Sequence, residues 1–448
     1  MPMGKVARSA ITATVAVLLA GAVLAQDGPV RKKIAIKAGT VITISGDDIS
    51  GGVVLIEDGR IADVGKDLEI PWDADVIDVP EGVVMPGYVE AHTYQGIRTA
   101  NEKVLEVPFI STIDGIDPIS WFIDDSRRDG VTTILVLPGN DTVVGGTGVA
   151  VKPTGRTVDD MIVRDFTGMK LSLQARADSS RMAHIARMRR YFTDLVEYVD
   201  QYNQRKADAE EAKKDFDEEI DPKKQAAIDL LDGKLTAFVY CPRASDVAKA
   251  IEITEEFGIN MIPVLGADCY KAAALLAEKE LPAILDSRLI VWETDEDTET
   301  EEMKIIPKIM ADAGVKFALQ RDGNAIDRRY FWLQAARCVA NGVSRQEALK
   351  SITLYPAEMI GVAERVGTIE KGKDANLLVL TGDPLDSQSW VDQVLIEGEV
   401  VYTRADDQYL EKLLAEGRTS AGVAGINDDV DPEPDEEKTE TPDGESEQ

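Results

Sequence analysis

Imidazole is the most versatile side chain for holding a metal or moving a proton near neutral pH, and this chain of 448 residues has two, His92 and His184. That count alone excludes any centre needing three or more imidazoles. His92 stands at the end of an apolar run, one residue from Tyr94. His184 follows Ser179-Ser180-Arg181 in an Arg-rich helical stretch and reads as a surface or packing residue. The three cysteines, Cys241, Cys269 and Cys338, have no metal-knuckle spacing, so a zinc ribbon is excluded, and they are too few for a disulfide framework. Cys241 and Cys269 each follow an apolar run. Free thiols are the favoured reading for them, with a single bridge left open. Gly145-Gly146-Thr147-Gly148 has the flavour of a phosphate cradle but lacks the full spacing and the Lys-Ser/Thr pair of a P-loop. We read it as a rim loop whose glycines allow tight backbone geometry. The acidic stretch 295–302 lacks the glycine turn and spacing of a calcium-binding EF-hand loop.

The elements that must position these residues change texture along the chain. Lys5 and Arg8 precede an uncharged apolar run over 10–25, and Val23-Leu24-Ala25 offers small residues for cleavage before Gln26. The run is short for a membrane span, so we expect an exported chain, periplasmic or at the cell surface, with an uncleaved anchor as the alternative. Residues 31–85 read as short strands, with Asp58-Gly59 a strong hairpin turn. From about 83 to 362, apolar runs (83–89, 131–137, 169–173, 237–240, 261–265, 315–319) alternate with helical stretches (246–256, 270–277, 303–313, 331–341). That alternation is the signature of a parallel α/β sheet or barrel. Short strands return after Gly367, with Glu397-Gly398 between two of them, so the α/β part is inserted into a split β unit. A charged helix over 187–217 reads as a solvated face. Residues 426–448 carry eleven acidic groups and one lysine and are expected to be a disordered, solubilising tail. With 81 acidic against 49 basic side chains and a net charge of −32, the chain should bind neither nucleic acid nor an anionic membrane surface.

Two stretches then carry a resemblance. Val84-Met85-Pro86-Gly87-Tyr88-Val89-Glu90-Ala91-His92-Thr93-Tyr94 resembles the first-strand signature of the amidohydrolase superfamily. Ser351-Ile352-Thr353-Leu354-Tyr355-Pro356-Ala357, followed by Val366-Gly367-Thr368-Ile369 and Gly372-Lys373-Asp374-Ala375-Asn376, is similar to its C-terminal signature. The likeness spans about 33–405 and points to imidazolonepropionase-like exported amidohydrolases. It implies an α/β fold: a (β/α)8 TIM-like barrel with a small β-sandwich domain built from both chain ends. The expected divisions are a leader over 1–25, sandwich over 26–85 and 363–405, barrel over 86–362, and a helical stub with the acidic tail over 406–448.

The resemblance also implies chemistry: one or two divalent metals held by a His-x-His pair, a lysine or glutamate, two further histidines and a last-strand aspartate, so that a bound water can attack a carbonyl. In this chain the pair reads His92-Thr93-Tyr94, and Tyr240 and Leu265 fall where further histidines are expected. Asp322 matches the aspartate, as catalytic base and ligand. His92, Asp322 and Lys170 could form a weak mononuclear site for zinc or manganese, so the expected cofactor is none or one weakly bound metal. Lys152 and Arg321 are further rim candidates, and Arg321 paired with Asp322 would stabilise a metal-free pocket. Two functions follow: a hydrolase of carbon–nitrogen bonds such as cyclic amides or dipeptides, or a non-catalytic binding module. The second would bind an unidentified small molecule and form a homodimer or pair with an intact amidohydrolase.

Overall fold

The computed structural model describes residues 32–294, 298–321 and 330–419. The leader, the acidic tail and Asp322 lie outside them. Among the described residues, two eight-stranded sheets dominate. One is made from both chain ends. Its long strand Asp75–Pro86 runs parallel to Lys33–Val41 on one edge and antiparallel to Leu377–Leu380 on the other. Among the described residues the two chain ends thus form one hydrogen-bonded sheet, with Val83 and Val84 paired on both sides, rather than the two packed sheets of the expected sandwich. The two hairpin turns are legible in the sequence. Asp58 and Gly59 have φ of 50° and 79°, and Glu397 and Gly398 have 49° and 73°, the left-handed pairs that a type I′ turn needs.

The second sheet takes its strands in chain order: Tyr88–Thr93, Val131–Val136, Val144–Val151, Ile162–Ser172, Ala237–Cys241, Met261–Leu265, Ala283–Ile284 and Phe317–Ala318. Sequential order with intervening helices is TIM-barrel-like, but one strand departs from the all-parallel expectation. Val144–Val151 runs antiparallel to both neighbours. The outer strands Tyr88–Thr93 and Phe317–Ala318 do not pair with each other among the described residues. Both edges lean instead on one dipeptide: Leu319 N–H donates to the Ser351 carbonyl at 3.1 Å, and Val89 N–H to that of Ile352 at 2.8 Å.

Strands covered on both faces read as continuous apolar runs, and Val131–Val136 is buried at every position. One core cluster gathers Val89, Leu135, Phe238, Ile262 and Val264 with Tyr355 of the helix Leu354–Met359. A larger one fills the space under the other helices, including Ala244–Phe257 and Phe331–Ala340.

Two local expectations are corrected. Residues 145–148 are not a rim loop but the buried interior of Val144–Val151, where a Cβ on Gly146 would fall 2.5 Å from the Ile110 carbonyl oxygen. Residues 303–313 are not one helix. Glu301–Ile305 pairs as a hairpin with Ile290–Thr294, and the helix Ile306–Asp312 starts only at Pro307's turn. Proline is tolerated in a first helical turn and breaks an interior one.

Candidate functional site

The site residues gather at the carboxyl ends of the strands, the end where α/β barrels place their chemistry. His92 is the fifth residue of Tyr88–Thr93 and is 4% exposed. Lys170, near the end of Ile162–Ser172, is completely buried, and Gln320 follows Phe317–Ala318. These three form a chain of contacts. His92 Nδ1 lies 2.9 Å from Gln320 Oε1, and Lys170 Nζ lies 2.7 Å from His92 Nε2. The amide oxygen only accepts and the lysine only donates, so the ring carries its proton on Nδ1 and offers its Nε2 lone pair to Lys170. Helix Phe331–Ala340 steadies this end, Gln334 donating its amide N–H to the Gln320 carbonyl at 3.0 Å. Burial first, and the positive charge of Lys170 second, hold the His92 imidazole well below its usual pKa, against the opposing Gln320 hydrogen bond. The ring is neutral at physiological pH.

A second buried polar group sits one turn of strand earlier. Glu90 and Arg321 are 0% and 2% exposed. Arg321 donates from Nε and Nη2 to one Glu90 oxygen at 2.9 and 2.7 Å, and its backbone N–H donates to the other at 3.1 Å. Nη2 also reaches Ser126 Oγ at 2.8 Å, Nη1 lies 3.7 Å from Asp129, and the guanidinium carbon is 5.0 Å from the Phe122 ring centre. Glu90 thereby fixes both the side chain and the backbone of the residue preceding Asp322.

The remaining expected residues divide. Tyr94 is half-buried just past the His92 strand, and Tyr240 stands with its ring centre 5.6 Å from Lys170 Nζ. Leu265 is buried, but among the residues packed under the helices, whereas its neighbours Ile262 and Val264 belong to the cluster with Phe238. The ligand position read from the sequence is thus one residue out of register, and a one-residue slip along a strand exchanges its faces. Neither Val264 nor Gly266 offers a donor atom in its side chain.

Lys152 is not at the site. Its strand runs antiparallel, so Val151 pairs with Ile162 at the amino end of the lysine-bearing strand, and Lys152 forms an ion pair with Glu397 of the other sheet. Arg321 takes Glu90 as its buried partner. His184 is buried with Nε2 2.8 Å from the Ser172 carbonyl oxygen, a packing role. Cys241, Cys269 and Cys338 are free and buried. Cys269 donates to the Cys241 carbonyl at 3.0 Å, and burial pushes its thiol up to about 12. Among the described residues, no three His, Cys, Asp or Glu side chains cluster as metal ligands would.

Glu90 was missed by sequence reasoning. The available signal was a lone carboxylate inside the apolar run 83–91, which cannot be buried without a partner.

The sequence profile described as the amidohydrolase family matches residues 127–401 of this chain, a stretch that contains Lys170, Tyr240 and Asp322 but not His92. A solved amidohydrolase from Thermotoga maritima MSB8 superposes with a TM-score of 0.74 and 30% identity, covering 83% of this chain and all of that one. Imidazolonepropionase from Thermoplasma acidophilum is 24% identical over 389 residues, 79% of this chain and 90% of that protein. Amidohydrolase tasK of Hapsidospora irregularis is 24% identical over 390 residues, and there the chain spans only 39% of the relative's length.

Proposed function

The chain belongs to the amidohydrolase family, and from that premise we propose that its strand-end site binds a small carbon–nitrogen compound without the metal-activated water that the family uses. Among the described residues, the donors present are a poor fit for the metal the family implies. A metal on His92 would need the Nε2 lone pair at about 2.0–2.1 Å, and that lone pair accepts from Lys170 at 2.7 Å. The amine of Lys170 takes up the space and repels a second cation. Of the other positions, Asp322 keeps a carboxylate but lies outside the described residues, and the rest offer the phenols Tyr94 and Tyr240 and the hydrocarbon of Val264 or Leu265. The observation that carries this reading is that both nitrogens of the site's imidazole are engaged within the protein. What the residues do is hold a fixed, neutral imidazole and an ammonium against the Tyr240 ring.

Hydrolysis of cyclic amides or dipeptides is the second reading, with Asp322 as base and His92 as ligand or electrophile. It is favoured by the retention of both residues at the motif positions. Incubating the chain with cyclic amides and dipeptides, with and without added zinc or manganese, separates the two. The binding reading predicts no turnover above that of His92→Ala. Metal-dependent turnover that His92→Ala abolishes would establish the hydrolase instead. Export, and association with a second copy or an intact relative, complete the proposal. Among the described residues no helix is long and apolar enough to cross a membrane.

A further inference from the structure

Behind the first strand of the second sheet lies a recess of about 210 Å³ that none of His92, Lys170 or Gln320 lines. Its walls include the rings of Tyr88, Tyr330, Trp332, Trp390 and Tyr402, with Leu380 among them and charged groups at its edge. Trp390 and Tyr330 are about half exposed, so the mouth is open. The helix Gln408–Thr419 closes one side, its start capped by Asp407, which accepts from the Tyr409 and Leu410 N–H groups at 3.0 and 3.2 Å.

The charges around the recess are matched, with one exception. Arg128 pairs with Asp407 at 2.8 Å and with Asp125, Tyr402 donates to Asp407 at 3.0 Å, and Asp129 lies 3.7 Å from Arg321. Arg404 is different. Its guanidinium lies 4.2 Å over the Trp390 ring centre, and it forms no ion pair with the described side chains around the recess. A guanidinium stacked on an indole keeps its N–H edge available for a planar, two-oxygen acceptor. The size bounds the rest of the ligand: an apolar cavity of about 150 Å³ holds benzene, so this one holds a substituted ring or two fused rings.

We propose that this recess is a second binding site, separate from the strand-end site, for a small aromatic carboxylate. The ring lies against the indoles and the carboxylate meets Arg404. Because Asp129 lines the recess and also faces Arg321, a ligand here touches the same charge cluster that holds the backbone before Asp322.

The test is calorimetric titration of the full chain with 2-naphthoate and, in parallel, neutral 2-naphthamide. Saturable one-to-one binding of 2-naphthoate is expected. Arg404→Gln should weaken it by about tenfold, the usual worth of one charge-assisted hydrogen-bond pair, and leave 2-naphthamide unchanged. Trp390→Ala should weaken both, and His92→Ala neither, which separates this site from the one above. Melting curves check that each variant is folded, and if Trp390→Ala is not, Arg404→Gln decides. Absence of saturable binding to the wild type overturns the proposal, including the case where size exclusion shows a second copy covering the mouth. Wild-type affinity of Arg404→Gln for 2-naphthoate overturns it as well.

Discussion

Glu90 and Arg321 show what a single substitution at this site costs. Both are buried, and each satisfies the other with three hydrogen bonds. Truncating one partner strands the other's charge, so Glu90→Ala should destabilise the fold by about 3–5 kcal/mol in urea unfolding. The double replacement Glu90→Leu with Arg321→Met should recover much of that loss, because no charge is then left unpaired. His92 makes a second prediction at this scale. Its imidazole resists protonation in the folded chain, whereas in the unfolded chain it takes up a proton near pH 6.5. The unfolded state therefore binds more protons below that pH. The stability due to this group is full above about pH 6.5 and falls below it by about 1.4 kcal/mol per pH unit. Subtracting the pH profile of His92→Gln from that of the wild type should isolate this slope, and parallel profiles would contradict it. In the sequence, His92, Lys170 and the two tyrosines were visible as chemistry-bearing types at motif spacing. The Glu90–Arg321 pair was not, because 231 residues separate the partners and the nearest carboxylate in sequence, Asp322, was the obvious choice.

Strands were legible wherever the apolar run was long and its ends were marked by turn residues. Val131–Val136 and Met261–Leu265 stand where the runs at 131–137 and 261–265 placed them. What stayed hidden was direction and register. Nothing local distinguishes a parallel from an antiparallel strand, so Val144–Val151 passed as a loop and Lys152 was placed at the wrong end of the sheet. Register slipped at Leu265 because a continuous apolar run marks no face. At 303–313, Pro307 was the neglected signal. The lysine-bearing strand gives the prediction at this scale. A Cβ on Gly168 would lie 2.4 Å from the Phe238 ring and 2.8 Å from the Thr236 carbonyl oxygen. Gly168→Ala should cost about 1–3 kcal/mol, read from the urea midpoint, since the neighbouring strand cannot give way without moving the pairing of Lys170 with Phe238.

Across the whole molecule, the two sheets are joined by a seam of charges. Arg365 binds Asp374 at 2.6 Å and the Val163 carbonyl at 2.8 Å, while Glu397 takes Lys152 and, at 3.4 Å, Arg365. The strand-end site rests on this frame, and its polar groups are tied to one another: His92 to Lys170 and Gln320, Glu90 to Arg321. On the reading proposed above, such a site does not take up a divalent metal. The most direct test is the metal content of the purified chain, grown with zinc and manganese supplements, desalted and measured by plasma mass spectrometry beside His92→Ala. Well under one equivalent per wild-type chain is expected, with no loss in His92→Ala. One equivalent in the wild type, lost on replacing His92, would contradict it.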